Sequence, residues 1–378
     1  MFIKFFRICN RFLIRLQVVI TLKKEGYALL KHKIPLFIMS LVALLFIAMT
    51  FAIIVGSVAI TPSIVWRVIF SHMPFFGNVI QSDWTKAQEI IIWELRVPRT
   101  ILAMIVGAGL AISGAAIQAL VRNSIADPYI LGVSSGASVG ATAVILFGAF
   151  SFLGIYALSF ASFLGALLAV IVVFMLAKVH GRISVIRLLL AGIAISLVLS
   201  AITNFMLLMS KQEGGIKAVM YWMLGSLGGA KWSILPIPLI TFIIVFTFLY
   251  LQYRNLNVLL MGEEAAITLG MNVDRFRKIL ILAVSLLTGV IVAVSGAIGF
   301  VGLIIPHIVR LLIGSNYKHV LPISALVGAI FLVIADAVAR TIIAPEEMPI
   351  GIITALCGSP FFIWMLRRNS YSFGEGDT

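Results

Sequence analysis

Ten stretches of nearly unbroken apolar residues, separated by short polar turns, set the pattern of this chain. They run roughly over 34–60, 100–121, 129–147, 152–177, 188–209, 234–251, 279–295, 299–313, 320–343 and 349–366. Each lies near the ~20 residues that a helix needs to cross the hydrocarbon core of a bilayer. Helices satisfy their own backbone groups in lipid. The pattern therefore predicts an all-α polytopic membrane protein of about ten transmembrane helices. The seventh and eighth runs allow a second reading, in which 295–302 is a break within one element.

The second run carries a further pattern. Gly107, Ala111, Ala115 and Ala119 recur every four positions, so one helical face is smooth and a neighbouring helix can approach closely. The run is preceded by Arg96, Pro98 and Arg99 and closed by Arg122, Asn123 and Asp127. A short echo, Ser113-Gly114-Ala115 and Ser295-Gly296-Ala297, falls in runs that the topology directs oppositely. Inverted repeats of this kind are common in transporters.

Composition supports the membrane class. Of 378 residues, 62% are hydrophobic and only 11% charged, against about 25% charged in soluble domains. The net charge of +14 does not indicate nucleic acid, because the basic residues sit in short loops rather than on one soluble face. With the N-terminus inside, Arg67, Lys86, Arg96, Arg99, Lys211, Lys217, Lys231 and Arg340 fall outside, and the rest of the 28 lysines and arginines fall inside. This bias places both termini in the cytoplasm. It makes the chain a multi-pass protein of the cytoplasmic (inner) membrane.

The ends differ from the middle. Residues 1–33 form a basic arm in which Lys4, Arg7, Arg11 and Arg15 recur at helical spacing beside Phe5, Ile8, Phe12 and Leu16. It reads as an amphipathic helix on the inner leaflet, or equally as a nonessential tail from an upstream start. Basic residues interrupt its apolar stretches, which argues against a cleaved signal peptide. Residues 34–368 form the membrane domain, and 369–378 a cytoplasmic tail.

Catalytic and metal chemistry find little support. Cys9 and Cys357 have unrelated contexts, and the five histidines lack ligand spacing. No GxxxxGK[ST] phosphate loop occurs. Asp336 is the one acid expected at depth, and Arg340 stands four residues later in the order that favours an intrahelical ion pair. An ion-coupled secondary transporter would be expected to carry unpaired acids at mid-membrane. The polar segment 253–278 contains Gly262, Glu263, Glu264, Ala265, Ala266, Leu269 and Gly270. Acids at a helix start and glycine at its end predict a two-turn helix between the sixth and seventh runs.

The segment from Arg96 to Gly140 resembles the signature of the FecCD family, permease subunits of ATP-driven importers for iron–siderophore, haem and cobalamin complexes. RLLLAG at 187–192, YWMLGSLGG at 221–229, GEEAAITLGM at 262–271, SGAIGFVGLIIPHIVR at 295–310, ADAVAR at 335–340 and PIGIITALCGSPFFIWML at 349–366 resemble it too.

The resemblance implies a type II importer permease that performs no covalent catalysis and binds no cofactor covalently, ATP being hydrolysed on a separate chain. Its expected partners are a second copy of itself, two ATP-binding subunits and an extracytoplasmic substrate-binding protein. It implies docking of that protein by Arg96, Arg99 and Arg340, and ATPase coupling through the helix near Gly262–Gly270. The cytoplasmic gate is implied at Asn123, Ile125, Val185 and Ile186. Ser196, Ser200 and Thr203, on one face of the fifth run, would line the pathway or equally bind helices together. An iron chelate is the first expectation for the cargo, with haem and cobalamin as alternatives.

Overall fold

A computed structural model describes residues 34–56, 58, 60–72, 83–179 and 182–368. The basic arm 1–33 and the tail 369–378 lie outside the described residues. Each predicted apolar run contains a helix, although the first is helical only to Ile54 and the ninth only to Ala339. Among the described residues six helices are long and apolar enough to span a membrane: Ile34–Ile54, Lys86–Val121, Ser151–Ala177, Val185–Met209, Val273–Ser295 and Tyr317–Ala339. The pair Pro236–Leu251 and Tyr253–Leu260, bent by 60°, makes a seventh if read as one span. Val133–Phe147, Val301–Ile313 and Ile350–Met365 are shorter apolar helices.

In chain order the helices are α1 (Ile34–Ile54), α2 (Pro62–Ser71), α3 (Val97–Val121), α4 (Val133–Phe147), α5 (Ala157–Ala177), α6 (Val185–Met209) and α7 (Glu213–Met223). There follow α8 (Pro236–Leu251), α9 (Tyr253–Leu260), α10 (Glu263–Thr268), α11 (Val273–Ser295), α12 (Val301–Ile313), α13 (Tyr317–Ala339) and α14 (Ile350–Arg368). A two-residue antiparallel ladder, β1 (Lys178–Val179) with β2 (Arg182–Ile183), joins α5 to α6.

The centre of the bundle is α3, buried almost along its whole length. Its four-residue stripe of small residues explains why. A Cβ on Gly107 would lie 2.2 Å from the Gly328 carbonyl oxygen of α13, and Tyr317 donates to the Ala115 carbonyl at 2.9 Å. A Cβ on Gly114 would lie 1.8 Å from the Gly302 carbonyl of α12. Backbones touching at this range leave no room for even one methyl group.

Several boundaries move. The helix predicted to start at residue 100 begins at Lys86, passing through a π-helical turn at Ile90–Arg96 before α3. Pro98 lacks an N–H and would crowd the carbonyl four residues back. The π turn absorbs it, with the Val97 N–H donating to the Ile92 carbonyl. The lead-in starts at a capping box in which Thr85 and Gln88 satisfy each other's backbone N–H groups. The third run also starts later than 129, because Pro128–Leu131 is a 3-10 turn and α4 begins at Val133. The amphipathic α2 and α7 were not anticipated.

Ser295–Gly302 is a true break. Gly296 takes φ 66° and Phe300 φ 71°, and the Tyr129 hydroxyl bridges both sides of Ile298, donating to its carbonyl at 3.0 Å and accepting from its N–H at 3.1 Å. Ser226 N–H donates to the Ser295 carbonyl, and the Ile350 and Gly351 N–H groups donate to Gly225 and Leu224. Ser113-Gly114-Ala115 lies inside α3, whereas Ser295-Gly296-Ala297 ends α11, so the echo does not share local conformation.

Candidate functional site

Two distinct surfaces occupy opposite ends of the bundle. At the first, α1 ends, α3 begins and α13 ends. Asp336 is almost fully buried and receives both Arg99 and Arg340. The Arg99 Nε lies 3.0 and 3.1 Å from its two carboxylate oxygens, and the Arg340 Nε is 3.1 Å from Oδ2. The expected i,i+4 pair is therefore present. Arg99 turns its Nη1 to Glu347, 2.8–2.9 Å from both oxygens.

Arg96 and Arg340 are committed elsewhere as well. Arg96 donates to the carbonyls of Ile53, Ile54 and Val58 at 2.6–3.0 Å. Arg340 donates to Ala52 at 2.8 Å and Val55 at 3.3 Å. The final carbonyls of a helix have no partner within it, and cations there oppose the negative dipole end. These two buried guanidinium groups therefore terminate α1. Arg99 is the member whose counter-ion reaches solvent, since the Glu347 side chain is 49% exposed. The three arginines, Gly228 and Glu347 line one recess of about 330 Å³. The structure thus gathers the three predicted arginines and adds Glu347, which sequence reading missed.

At the opposite end, α10 spans Glu263–Thr268, shorter than two full turns, between Gly262 and a C-terminal turn at Gly270 (φ 80°). The Gly270 N–H donates to Ile267 and the Met271 N–H to Ala266, the Schellman arrangement that left-handed glycine permits. Glu263 pairs with buried Arg277 of α11 at 2.8 Å. Ala266 is fully buried, whereas Met261, Ile267 and Leu269 are 59–69% exposed. Ala266 anchors the helix, and the three larger side chains form its open face.

Gly262 links this element to the next. A Cβ there would lie 3.3 Å from the Arg122 guanidinium, directly beside Asn123. Asn123 is exposed and its side-chain oxygen accepts from the Ile125 N–H at 2.9 Å. Ile125 packs with Ile304 of α12 and Phe361 and Met365 of α14. Val185 and exposed Ile186 begin α6 and do not join that cluster. Asp127 caps the following turn, accepting from the Tyr129 N–H at 2.9 Å, and burial pushes its carboxyl up to about 6.

Between the two ends, α6 leaves a long apolar face uncovered. Ile186, Leu190, Ile193, Leu197 and Leu208 are 54–83% exposed. Ser196, Ser200 and Thr203 share another face but differ in depth. Ser196 is half-buried, Ser200 exposed, and Thr203 buried with its hydroxyl donating to the Leu199 carbonyl at 3.1 Å.

This multi-pass helical bundle belongs to the class of ABC importer permeases. Residues 44–368 match the FecCD transport family, and the chain belongs to that family. The cobalamin import system permease protein BtuC of Halobacterium salinarum is 45% identical over 292 residues, 77% of each chain. An ABC transporter permease protein of Bacillus subtilis, YvrB, is 42% identical over 83% of this chain and 88% of its own. The vitamin B12 import system permease protein BtuC of Salmonella paratyphi A is 41% identical over 77% of this chain and 88% of its own. A solved structure described as an inward-facing metal-chelate type ABC transporter superposes with TM-score 0.75 at 31% identity, covering 89% of this chain and 100% of that one.

Proposed function

We propose that two copies of this chain form the conduit of an importer in the cytoplasmic membrane, with both termini cytoplasmic. Two ATP-binding subunits seat on the α10 ends, and an extracytoplasmic binding protein docks at the Arg99 recess. The observation that carries this is the placement of an exposed apolar knob at one end and an ion-paired recess at the other. A helix end that exposes Met261, Ile267 and Leu269 beyond the apolar spans is shaped for a protein groove.

The route from motor to gate is short. Force applied to α10 reaches α11 through the Glu263–Arg277 pair and reaches the end of α3 through Gly262 against Arg122. Asn123 and Ile125 follow directly, and with Val185 and Ile186 they are the proposed cytoplasmic gate. A carboxylate from the binding protein would take the place of Glu347 on Arg99, since arginine pairs bidentately with any suitably placed carboxylate. Arg96 and Arg340 hold the recess in shape. The uncovered face of α6 meets the second copy, and Ser196, Ser200 and Thr203 lie near the resulting pathway.

For the cargo, the named relatives favour cobalamin over the iron chelate expected first from the sequence. A metal chelate remains the second reading, supported by the description of the structural neighbour. The test is uptake into vesicles containing the full complex, offered cobalamin, ferric siderophores and haem side by side. ATP-dependent accumulation of cobalamin alone is expected. Uphill uptake by this subunit without an ATPase would overturn the reading.

A further inference from the structure

A long furrow on the outside of the bundle is not used by any step proposed above. Its first half, about 350 Å³, lies between the end of α5 and the start of α11. The walls include Phe163, Leu167 and Met175 from α5, and Leu282 and Leu286 from α11. A second hollow of about 420 Å³ continues it past Phe163 and Leu286 toward the start of α8.

Lys278 lines the first hollow at its α10 end. It makes no hydrogen bond or ion pair among the described residues. Lys178, exposed at the end of α5, lies three residues beyond Met175, and exposed Arg275 sits one turn before Lys278. Asp274 is the one acid in the first turn of α11. Lys278 is thus the charged residue lining a hollow whose other walls are almost wholly apolar. Ser285, buried on the same wall, has no hydrogen-bond partner for its hydroxyl.

The dimensions fit one leaflet. Lys278 to Leu286 spans about 12 Å of helix, against about 15 Å for half of a bilayer's hydrocarbon core. We infer that this furrow holds an anionic phospholipid, its acyl chain between α5 and α11 and its phosphate on Lys278. The name of the leaflet rests on the proposed cytoplasmic position of α10, but the lipid assignment does not. Because α11 follows α10 after four residues, the bound lipid braces the helix that receives the motor's push.

The full-length chain is purified from nanodiscs made of equal phosphatidylglycerol and phosphatidylcholine, and its retained lipid is measured by native mass spectrometry. The wild type is expected to favour phosphatidylglycerol about fivefold, the effect of roughly one lysine near a membrane surface. Lys278→Gln removes the preference and keeps one retained chain. Leu282→Trp fills the hollow and removes retention, with an unchanged gel-filtration profile and melting temperature showing that the fold persists. Equal retention of both lipids by the wild type, an undiminished preference in Lys278→Gln, or occupancy by detergent only would each overturn the proposal. ATPase binding is read separately, so failure of the coupling role leaves this result standing.

Discussion

Arg99 and Asp336, 237 positions apart, meet in a forked ion pair at 3.0–3.1 Å inside the bundle. The pair joins the start of α3 to the end of α13 and shares its carboxylate with Arg340. Removing one partner of a buried pair leaves the other charge without solvent or counter-ion, at a cost of about 3–5 kcal/mol. Asp336→Ala should therefore lower the melting temperature in detergent steeply. Glu347→Gln, which breaks an exposed contact, should barely move it, and comparable losses in both variants would contradict this division.

The same contrast tests docking. A docking protein's carboxylate must compete with Glu347 for Arg99, so Glu347→Gln should tighten binding-protein affinity by up to about fivefold. That is the equivalent of the ~1 kcal/mol an exposed ion pair contributes. Affinity measured by surface plasmon resonance on the reconstituted complex checks it. Weaker binding in Glu347→Gln would make Glu347 itself a docking residue and end the displacement account.

Close helix contact yields a sharper steric test. Gly114→Ala places a methyl group 1.8 Å from the Gly302 carbonyl, and backbone cannot rotate away as a side chain can. Overpacking of this kind costs about 1–3 kcal/mol or more. Gly229→Ala, with nothing within 4 Å, is the control. The thermal stability of the first should fall and that of the second should stay level.

What the sequence revealed follows from what is local. The four-residue stripe from Gly107 to Ala119 named the face of α3 that meets α13, because helical periodicity fixes a face without knowledge of the partner. Gly262 and Gly270 bounded α10 for the same reason. By contrast, Arg96 looked available because its partners are carbonyls at the end of α1, and no side-chain pattern advertises an unpaired carbonyl. Pro98 marked a helix start, yet the π turn let the helix run back to Lys86. Glu347 was overlooked in a loop whose proximity to Arg99 exists only in three dimensions. The exposure of Met261 and Ile267 was equally hidden, since an apolar residue reads the same whether it meets core, lipid or partner.

Asp127 predicts a pH effect with a definite sign. Its carboxyl titrates near 6 in the folded chain, above the ordinary value near 3.9. The folded state therefore holds its proton more tightly, and stability from this group is lost as pH rises through about 6. Asp127→Asn keeps an oxygen for the Tyr129 N–H but carries no charge. The variant should melt higher than the wild type at pH 7.5, the gap should narrow as pH falls through about 6, and it should close below about 3.9. A constant difference across that range would remove ionisation as the cause.

The coupling helix is best tested on its open face rather than its buried one. Ala266 is fully enclosed, so enlarging it would disturb packing within this chain and confuse loss of the partner with loss of the fold. Ile267 and Leu269 are 59% and 64% exposed and contribute little to the bundle, so Ile267→Asp with Leu269→Asp should leave melting within about 0.5 kcal/mol of wild type. A groove that desolvates them would instead receive two charges, which are costly to bury without partners. Co-purification of the ATP-binding subunits should fall at least tenfold while binding-protein affinity is unchanged. If the doubly substituted chain still retains its ATPase, the motor does not seat on α10.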